Sequence, residues 1–492
     1  MPGPPSLFLH LAAGVKRSGK ERSLYSETSL ASRHLAWAES DLIVILETTQ
    51  NAADMKESAD RTLLSKVTWR LLPLLFFCYI IAYIDRINVG FAKFHLREVL
   101  GVEEAVFGSV YGLGAGLFFI GYFLFEVPSN LILHRVGARI WIARIMILWG
   151  LVSMAMMFIN SKTVFYLMRF LLGAAEAGFF PGVILYLTYW YPARERARTV
   201  ALFTTGGVLA GIIGSPISGA ILGLNGLGGL AGWQWLFLLE GIPALLLGIV
   251  VFFVLPDRPE KARWLSQEEK AALQALLDEE AARSDQPQTH HLVDALRSGH
   301  VWLLCLLYFL MNIGSYGYEM WLPSIIKGMS GTSDAVVGCI NAIPYIVAAV
   351  VMLLVGQHSD RTGERRWHVA VSAMASALGF ALSAYFSNPY LALAALALAF
   401  AGIKSTLGPF WALGTAFMSG TAAAGGIALI NSVGNLGGFV GPTLVGIIKD
   451  RTGSNVIALL FLGCALLGMG LLALTIRTGP PKTFSGPRVN GR

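Results

Sequence analysis

Charge is what this chain most lacks. Asp, Glu, Lys and Arg make up 14% of its 492 residues, against roughly 25% in soluble domains, while 55% are hydrophobic and the mean hydropathy is +0.61. A water-soluble globular fold is excluded. Cysteine is nearly absent too: Cys78, Cys305, Cys339 and Cys464 each stand alone in apolar segments without CxxC spacing, so packing is expected, with no disulfide and no metal. No nucleophile, ligand cluster or cofactor motif rises above the apolar background, which argues against an enzyme and against any cofactor. The glycines of YGLGAGLFF lie within an apolar run with no strand before it, and read as helix packing rather than a phosphate loop. The net charge of +7 sits in short connectors, a pattern of membrane topology and not of nucleic-acid binding.

What is present is a series of apolar runs near bilayer length. Twelve spans are predicted, at 70–92, 105–129, 139–159, 163–190, 199–223, 233–255, 301–324, 335–357, 367–387, 389–416, 421–447 and 455–476, giving an all-α polytopic membrane protein. Domain organisation follows: a cytoplasmic tail 1–62, a six-helix bundle 63–256, a cytoplasmic loop 257–300, a second bundle 301–478 and a tail 479–492. Lys and Arg counts in alternate connectors place both termini in the cytoplasm. SLFLHLAAGV lacks a basic n-region and makes a poor signal peptide; residues 1–54 read as a disordered tail or an upstream start, with Met55 the natural one. In the loop, Ser266 to Glu269 forms a capping-box pattern that opens a short helix.

The halves repeat. RVGARIW at Arg135 and RTGERRW at Arg361 are 226 residues apart, as are Pro216 and Pro442 in the fifth and eleventh spans. Duplicated six-helix bundles are a transporter architecture, rocking about a midplane site.

Asp85 and Arg86 interrupt LLPLLFFCYIIAYIDRINVGFA. A charge at that depth costs about 2.5–3.5 kcal/mol even on a lenient scale and marks a substrate or ion site. If the first helix ends near Ala92, Asp85 lies ~10 Å and Arg169 of the fourth helix ~9 Å below the outer boundary, so the two are expected to meet, with Glu176 two turns deeper than Arg169 on the same face. Guanidinium grips carboxylates bidentately, so Arg86 is assigned to an anionic substrate. Arg169 is expected to neutralise Asp85 or Glu176, and the two acids to exchange protons as it approaches.

GQHSDRTGERR, from Gly356 to Arg366, resembles the loop motif of the major facilitator superfamily, with a first-half copy LILHRVGAR in which His134 replaces the usual acid. YIDRIN, FEVPSNLILHRVGARIWI, RFLLGAAEAGFFPGVILYLTYWYPARERAR, GWQWLFLLEGIPA and GPFWALGTAFMSGTAAAGGIALINSVGNLGGFVGP are similar to the anion:cation symporter family, which includes tartrate, phthalate and sugar-acid carriers. The resemblance runs roughly from residue 55 to 478. It implies proton-coupled import of a small organic anion across the cytoplasmic membrane, with Asp85, Arg86, Arg169 and Glu176 carrying coupling and anion binding, and Asn431 and Trp411 lining the site. Protons are the coupling ion, the anion and the bilayer are the partners, and a monomer is expected.

Tyr83, Tyr316, Tyr318 and Trp411 are candidates to line the cavity. The loop motifs contribute Arg135, Asp360, Arg361 and Arg365 as gating residues; Glu126, Glu240 and Glu319 read as gating or structural. Asn431 is also open to interhelical hydrogen bonding. Lys404 is open to two readings, a second anion contact or a side chain snorkelling to the cytoplasm. An exchanger of phosphate esters would pair the first-helix arginine with a base in the seventh helix, and residues 301–324 hold no Lys or Arg. A non-transporting sensor would carry a long signalling tail, which Arg477 to Arg492 is too short to be.

Overall fold

A computed structural model describes residues 55–56, 58–283, 297–416 and 420–476. The expectations for residues 1–54 and for the tail from 479 lie outside these. The chain divides into two compact units, Met1–Ser65 and Lys66–Arg492, and the second holds the bundle.

Among the described residues twelve helices are long and apolar enough to cross a bilayer: α1 Ser58–Leu100, α2 Glu104–Leu133, α3 Ala138–Phe158, α4 Lys162–Thr188, α5 Arg198–Leu222, α6 Gly232–Val254, α7 Gly299–Ser330, α8 Asp334–Thr362, α9 Arg366–Tyr385, α10 Pro389–Gly414, α11 Gly426–Thr452 and α12 Asn455–Ala473. The predicted spans are matched in number and order. The largest departure is at α1, which runs to Leu100 instead of ending near Ala92. A local turn at Asn88 does not stop it, because Phe91 and Ala92 donate back to the Asn88 carbonyl, and the chain is released only at Gly101, in the left-handed region at φ 61°.

Large apolar side chains such as Phe253 (76% exposed), Leu354 (61%) and Leu471 (53%) face outward, as lipid-facing residues must. Between the halves, α2 packs along α11 and α5 along α8, the arrangement a duplicated bundle generates. These contacts rest on small residues. A Cβ on Gly112 would run into the Pro442 carbonyl, and one on Gly219 into the Asp334 carbonyl and Gly338.

The repeated connector has one backbone requirement in both copies. Gly137 and Gly363, 226 residues apart, both have positive φ, at 99° and 67°, where a side chain would be strained. The second copy is further fixed by Arg365, which donates to Asp360 at 2.7 Å and to Ser359 at 2.8 Å. At the same end of the bundle the expected capping box forms: Glu269 N donates to Ser266 Oγ at 3.1 Å, and Ser266 N to Glu269 Oε2 at 2.8 Å, at the start of helix Gln267–Arg283. This is called the loop end below; the opposite end carries Glu104 and Asp334.

Candidate functional site

The extra length of α1 decides which charges meet. Counted from Leu100, Arg86 lies about fourteen residues in, ~21 Å, and Glu176 lies as far from Lys162 at the start of α4. Arg169 is only about seven residues from that start, ~10 Å. Arg86 accordingly forms a buried ion pair with Glu176 through Nη2. Its Nη1 donates to the Tyr316 hydroxyl at 2.9 Å, reaching across to α7 in the other half. The guanidinium also lies 5.4 to 5.8 Å from the ring centres of Phe118, Tyr122 and Tyr83, a cation–π surround.

Two expectations are corrected here. Asp85 is not balanced by Arg169: its carboxylate accepts from Trp149 at 2.7 Å, Ser153 at 2.9 Å and Asn88 at 3.3 Å, all neutral donors. Arg169 is fully buried, donates to the Ala115 carbonyl at 3.2 Å and lies 5.1 Å from the Phe118 ring. Among the described residues it has no carboxylate within ion-pair distance, and its Nε and Nη1 have no hydrogen-bond partner. The reason is depth: with α1 ending eight residues later, Asp85 sits about 12 Å lower than the sequence estimate, below the reach of Arg169.

The helix that carries Glu176 is broken directly after it. Lys162–Glu176 ends, Ala177 is extended, Gly178 takes φ 88°, and a second helix starts at Phe179 with Pro181 in its first turn. Sequence reasoning missed this, although Gly178 and Pro181 in AGFFPG carry the signal. Interrupted helices at binding sites are common in carriers, because irregular backbone is tolerated at membrane depth only where it faces protein or a cavity.

A second charged centre was also missed. Lys404 Nζ lies 3.1 Å from Glu319 Oε1, 2.9 Å from the Tyr83 hydroxyl and 3.2 Å from Ser315 Oγ, with Lys404 8% and Glu319 2% exposed. Glu319 also accepts from Tyr83 and Ser315. Lys404 therefore does not snorkel; its ammonium turns toward α1 and α7. Tyr83 belongs to this centre and flanks Arg86, while Tyr316 belongs to the Arg86 pair.

Other candidates fall elsewhere. Asn431 contacts no member of the cluster that the described hydrogen bonds record; it donates to Glu126 Oε1 at 2.6 Å, and Ser432 donates to Oε2 at 2.7 Å, joining α11 to α2 toward the loop end. The length of α2 leaves Glu126 closer to that end than Arg86 is, and so takes Asn431 with it. Trp411 packs on Tyr308 at 5.2 Å and on Phe410. Tyr318 is packing: it stacks on Phe400 at 4.9 Å and donates to the Leu396 carbonyl within the second half. Arg135, Asp360 and Arg361 are exposed at the loop end. At the opposite end Asp450 accepts from Gly108 N and Ser109 N at 2.8 and 2.6 Å, and Lys93, 6% exposed, places Nζ 3.2 Å over the Trp321 ring. Among the described residues no cluster could hold a metal ion.

Paired six-helix bundles with a charged cluster at their interface define a polytopic membrane carrier. The chain belongs to the Major Facilitator Superfamily, whose family model matches residues 75–442. A protein of Agrobacterium vitis named "Putative tartrate transporter" is 50% identical over 428 residues, 87% of this chain and 94% of that protein. A Pseudomonas putida protein named "Putative metabolite transport protein NicT" is 48% identical, over 84% of this chain and 94% of its own. The inward-open structure of the xylose transporter XylE from E. coli matches the fold with a TM-score of 0.67 at 15% identity, covering 84% of this chain and 97% of that one.

Proposed function

We propose that this carrier imports a small organic anion by proton symport across the cytoplasmic membrane, as a monomer, with the loop end facing the cytoplasm. The observation that carries the reading is the buried Arg86–Glu176 pair, met by Tyr316 from the other half. An arginine stays charged at any relevant pH, so the state of Glu176 governs what Arg86 can hold. With Glu176 ionised, Arg86 is engaged internally. With Glu176 protonated, its pull on Arg86 is lost and the guanidinium is free to grip a carboxylate. Proton and anion thus occupy the cluster together, which is the condition for symport.

Asp85 provides a second proton-accepting carboxylate, held by neutral donors. Arg169, with two unpartnered nitrogens, keeps the region positive enough for an anion to enter. Arg135, Asp360, Arg361 and Arg365 act at the loop end as the bundles rock. Relatives named for tartrate and metabolite transport support an organic-acid substrate.

The test is uptake of labelled organic acids into proteoliposomes under an imposed inward proton gradient. Accumulation that collapses with the gradient supports symport. Saturable uptake that is indifferent to the gradient rejects it.

A further inference from the structure

We propose that Lys404 supplies a second substrate-binding cation opposite Arg86, which fits the site to small dicarboxylates in preference to monocarboxylates. The inference rests on the reading of Arg86 as the anion grip. Lys404 lies well inside α10, about fifteen residues from Pro389 and about ten from Gly414, and its ammonium points across the bundle rather than toward either end. An ammonium at that depth is retained where it faces a ligand path or an ion-pair partner. Lys404 has such a partner in Glu319, and Tyr83, whose hydroxyl accepts its hydrogen bond, also flanks Arg86.

The upper limit on the spacing leaves room for two carboxylates. Arg86 Cζ is 5.8 Å and Lys404 Nζ 5.3 Å from the centre of the same Tyr83 ring, so the cations are at most about 11 Å apart. A four-carbon dicarboxylate spans about 4 Å between its carboxyl carbons, from C–C bonds of about 1.5 Å. Charge-assisted contacts of about 2.8 Å at each end then call for cations on the order of 10 Å apart. Each cation is already in contact with one carboxylate, Glu176 or Glu319, so a dianion can take over both sets of contacts. A monocarboxylate satisfies one cation and leaves the other with its glutamate. The Tyr83 hydroxyl bonds Lys404 while its ring flanks Arg86, and the Tyr316 hydroxyl bonds Arg86, so both are at hand for hydroxyl substituents on the ligand.

The experiment compares tartrate with threonate, which is tartrate with one carboxylate replaced by CH2OH, in proteoliposomes of the full chain. Expected is a preference for tartrate in KM of about tenfold or more, reduced to threefold or less in Lys404→Gln through loss on tartrate alone and restored in Lys404→Arg. Equal KM values for the two acids in the unaltered protein overturn the proposal, independently of whether any variant folds. So does an equal loss on both acids in folded Lys404→Gln. Those results leave anion symport standing; failure of the unaltered protein to carry either acid under any proton gradient overturns that reading and this one together.

Discussion

The Tyr83 hydroxyl sits 2.9 and 3.0 Å from the two carboxylate oxygens of Glu319, and so ties α1 of the first half to α7 of the second. The same oxygen accepts from Lys404 at 2.9 Å. One phenol thus links both halves through a buried acid and a buried base. Removing it in Tyr83→Phe leaves Glu319 with Lys404, Ser315 and Tyr345, and the lost hydrogen bond is worth about 1–3 kcal/mol. The expected result is a KM raised about tenfold with expression unchanged. An unaltered KM would take Tyr83 out of the binding cluster.

Glu176→Gln should separate binding from coupling. The neutral amide mimics the protonated acid and leaves Arg86 available at every pH. In the unaltered protein, anion affinity should strengthen as pH falls, because protonation releases Arg86. In the variant that dependence should flatten, with exchange of labelled for unlabelled acid retained and gradient-driven accumulation lost. Measurement of KM at pH 6 and pH 8, with accumulation ratios, tests this; a variant that still accumulates substrate would move the coupling site elsewhere.

The charge balance of the cluster predicts the electrical character of the cycle. Glu176 faces Arg86, while Glu319 faces Lys404, Tyr83, Ser315 and Tyr345. Two ion pairs are neutral, so a dianion entering with two protons keeps the cluster neutral. Dicarboxylate uptake should then be insensitive to a potassium–valinomycin potential. A cycle moving one net charge would instead gain about 2.3 kcal/mol per 100 mV, and a clear response to the clamp would show it.

Contacts at the loop end should set how the two bundles populate their open and closed arrangements. Glu126 receives both Asn431 and Ser432, and Glu126→Ala removes two buried charge-assisted bonds, each worth about 1.5–3 kcal/mol. Spin-label distances across the loop ends of α2 and α11 should lengthen in the variant. Unchanged distances would mean that these bonds do not hold the closed arrangement.

Glu269 gives a pH dependence outside the membrane. The Lys66 ammonium, 2.7 Å from its carboxylate, holds Glu269 below the usual carboxylate range, helped by the Ser266 amide. A depressed acid stabilises above its unfolded value and loses that contribution as pH falls through the folded one. Helix Gln267–Arg283 should therefore exchange its amides faster only as pH falls below the usual carboxylate range. Lys66→Ala should bring the loosening to higher pH by a small amount, as an exposed pair is worth at most about 1 kcal/mol.

How much of this was legible in sequence depended on range. Twelve spans, the 226-residue repeat and the Ser266 cap are local or periodic patterns, and each is present. The pairing of Arg86 was not legible, because it turns on where α1 stops. FAKFHLREVL looks polar enough to end a helix at Ala92, yet Lys93 stays buried over Trp321, and the helix carries on to Gly101. That shift of about two turns exchanges Glu176 for Arg169 beside the charged pair. Lys404 and Glu319 lie 85 residues apart on different helices, and no spacing rule connects them. Asn431 shows the converse: its polarity marked a role, and only the length of α2 shows that it meets Glu126.

Helix α2 is fastened to α11 near each end, by Gly108 and Ser109 to Asp450 and by Glu126 to Asn431 and Ser432, with a longer bond from Thr443 to the Gly112 carbonyl one turn inward of the first. The fastenings are about eighteen residues apart, ~27 Å along the axis. A beam pinned at both ends cannot tilt until one pin lets go. Each half-turn of the cycle must therefore begin with a local rupture and not a gradual sway, and the relative strength of the two pins determines on which side of the membrane the carrier rests when no substrate is present.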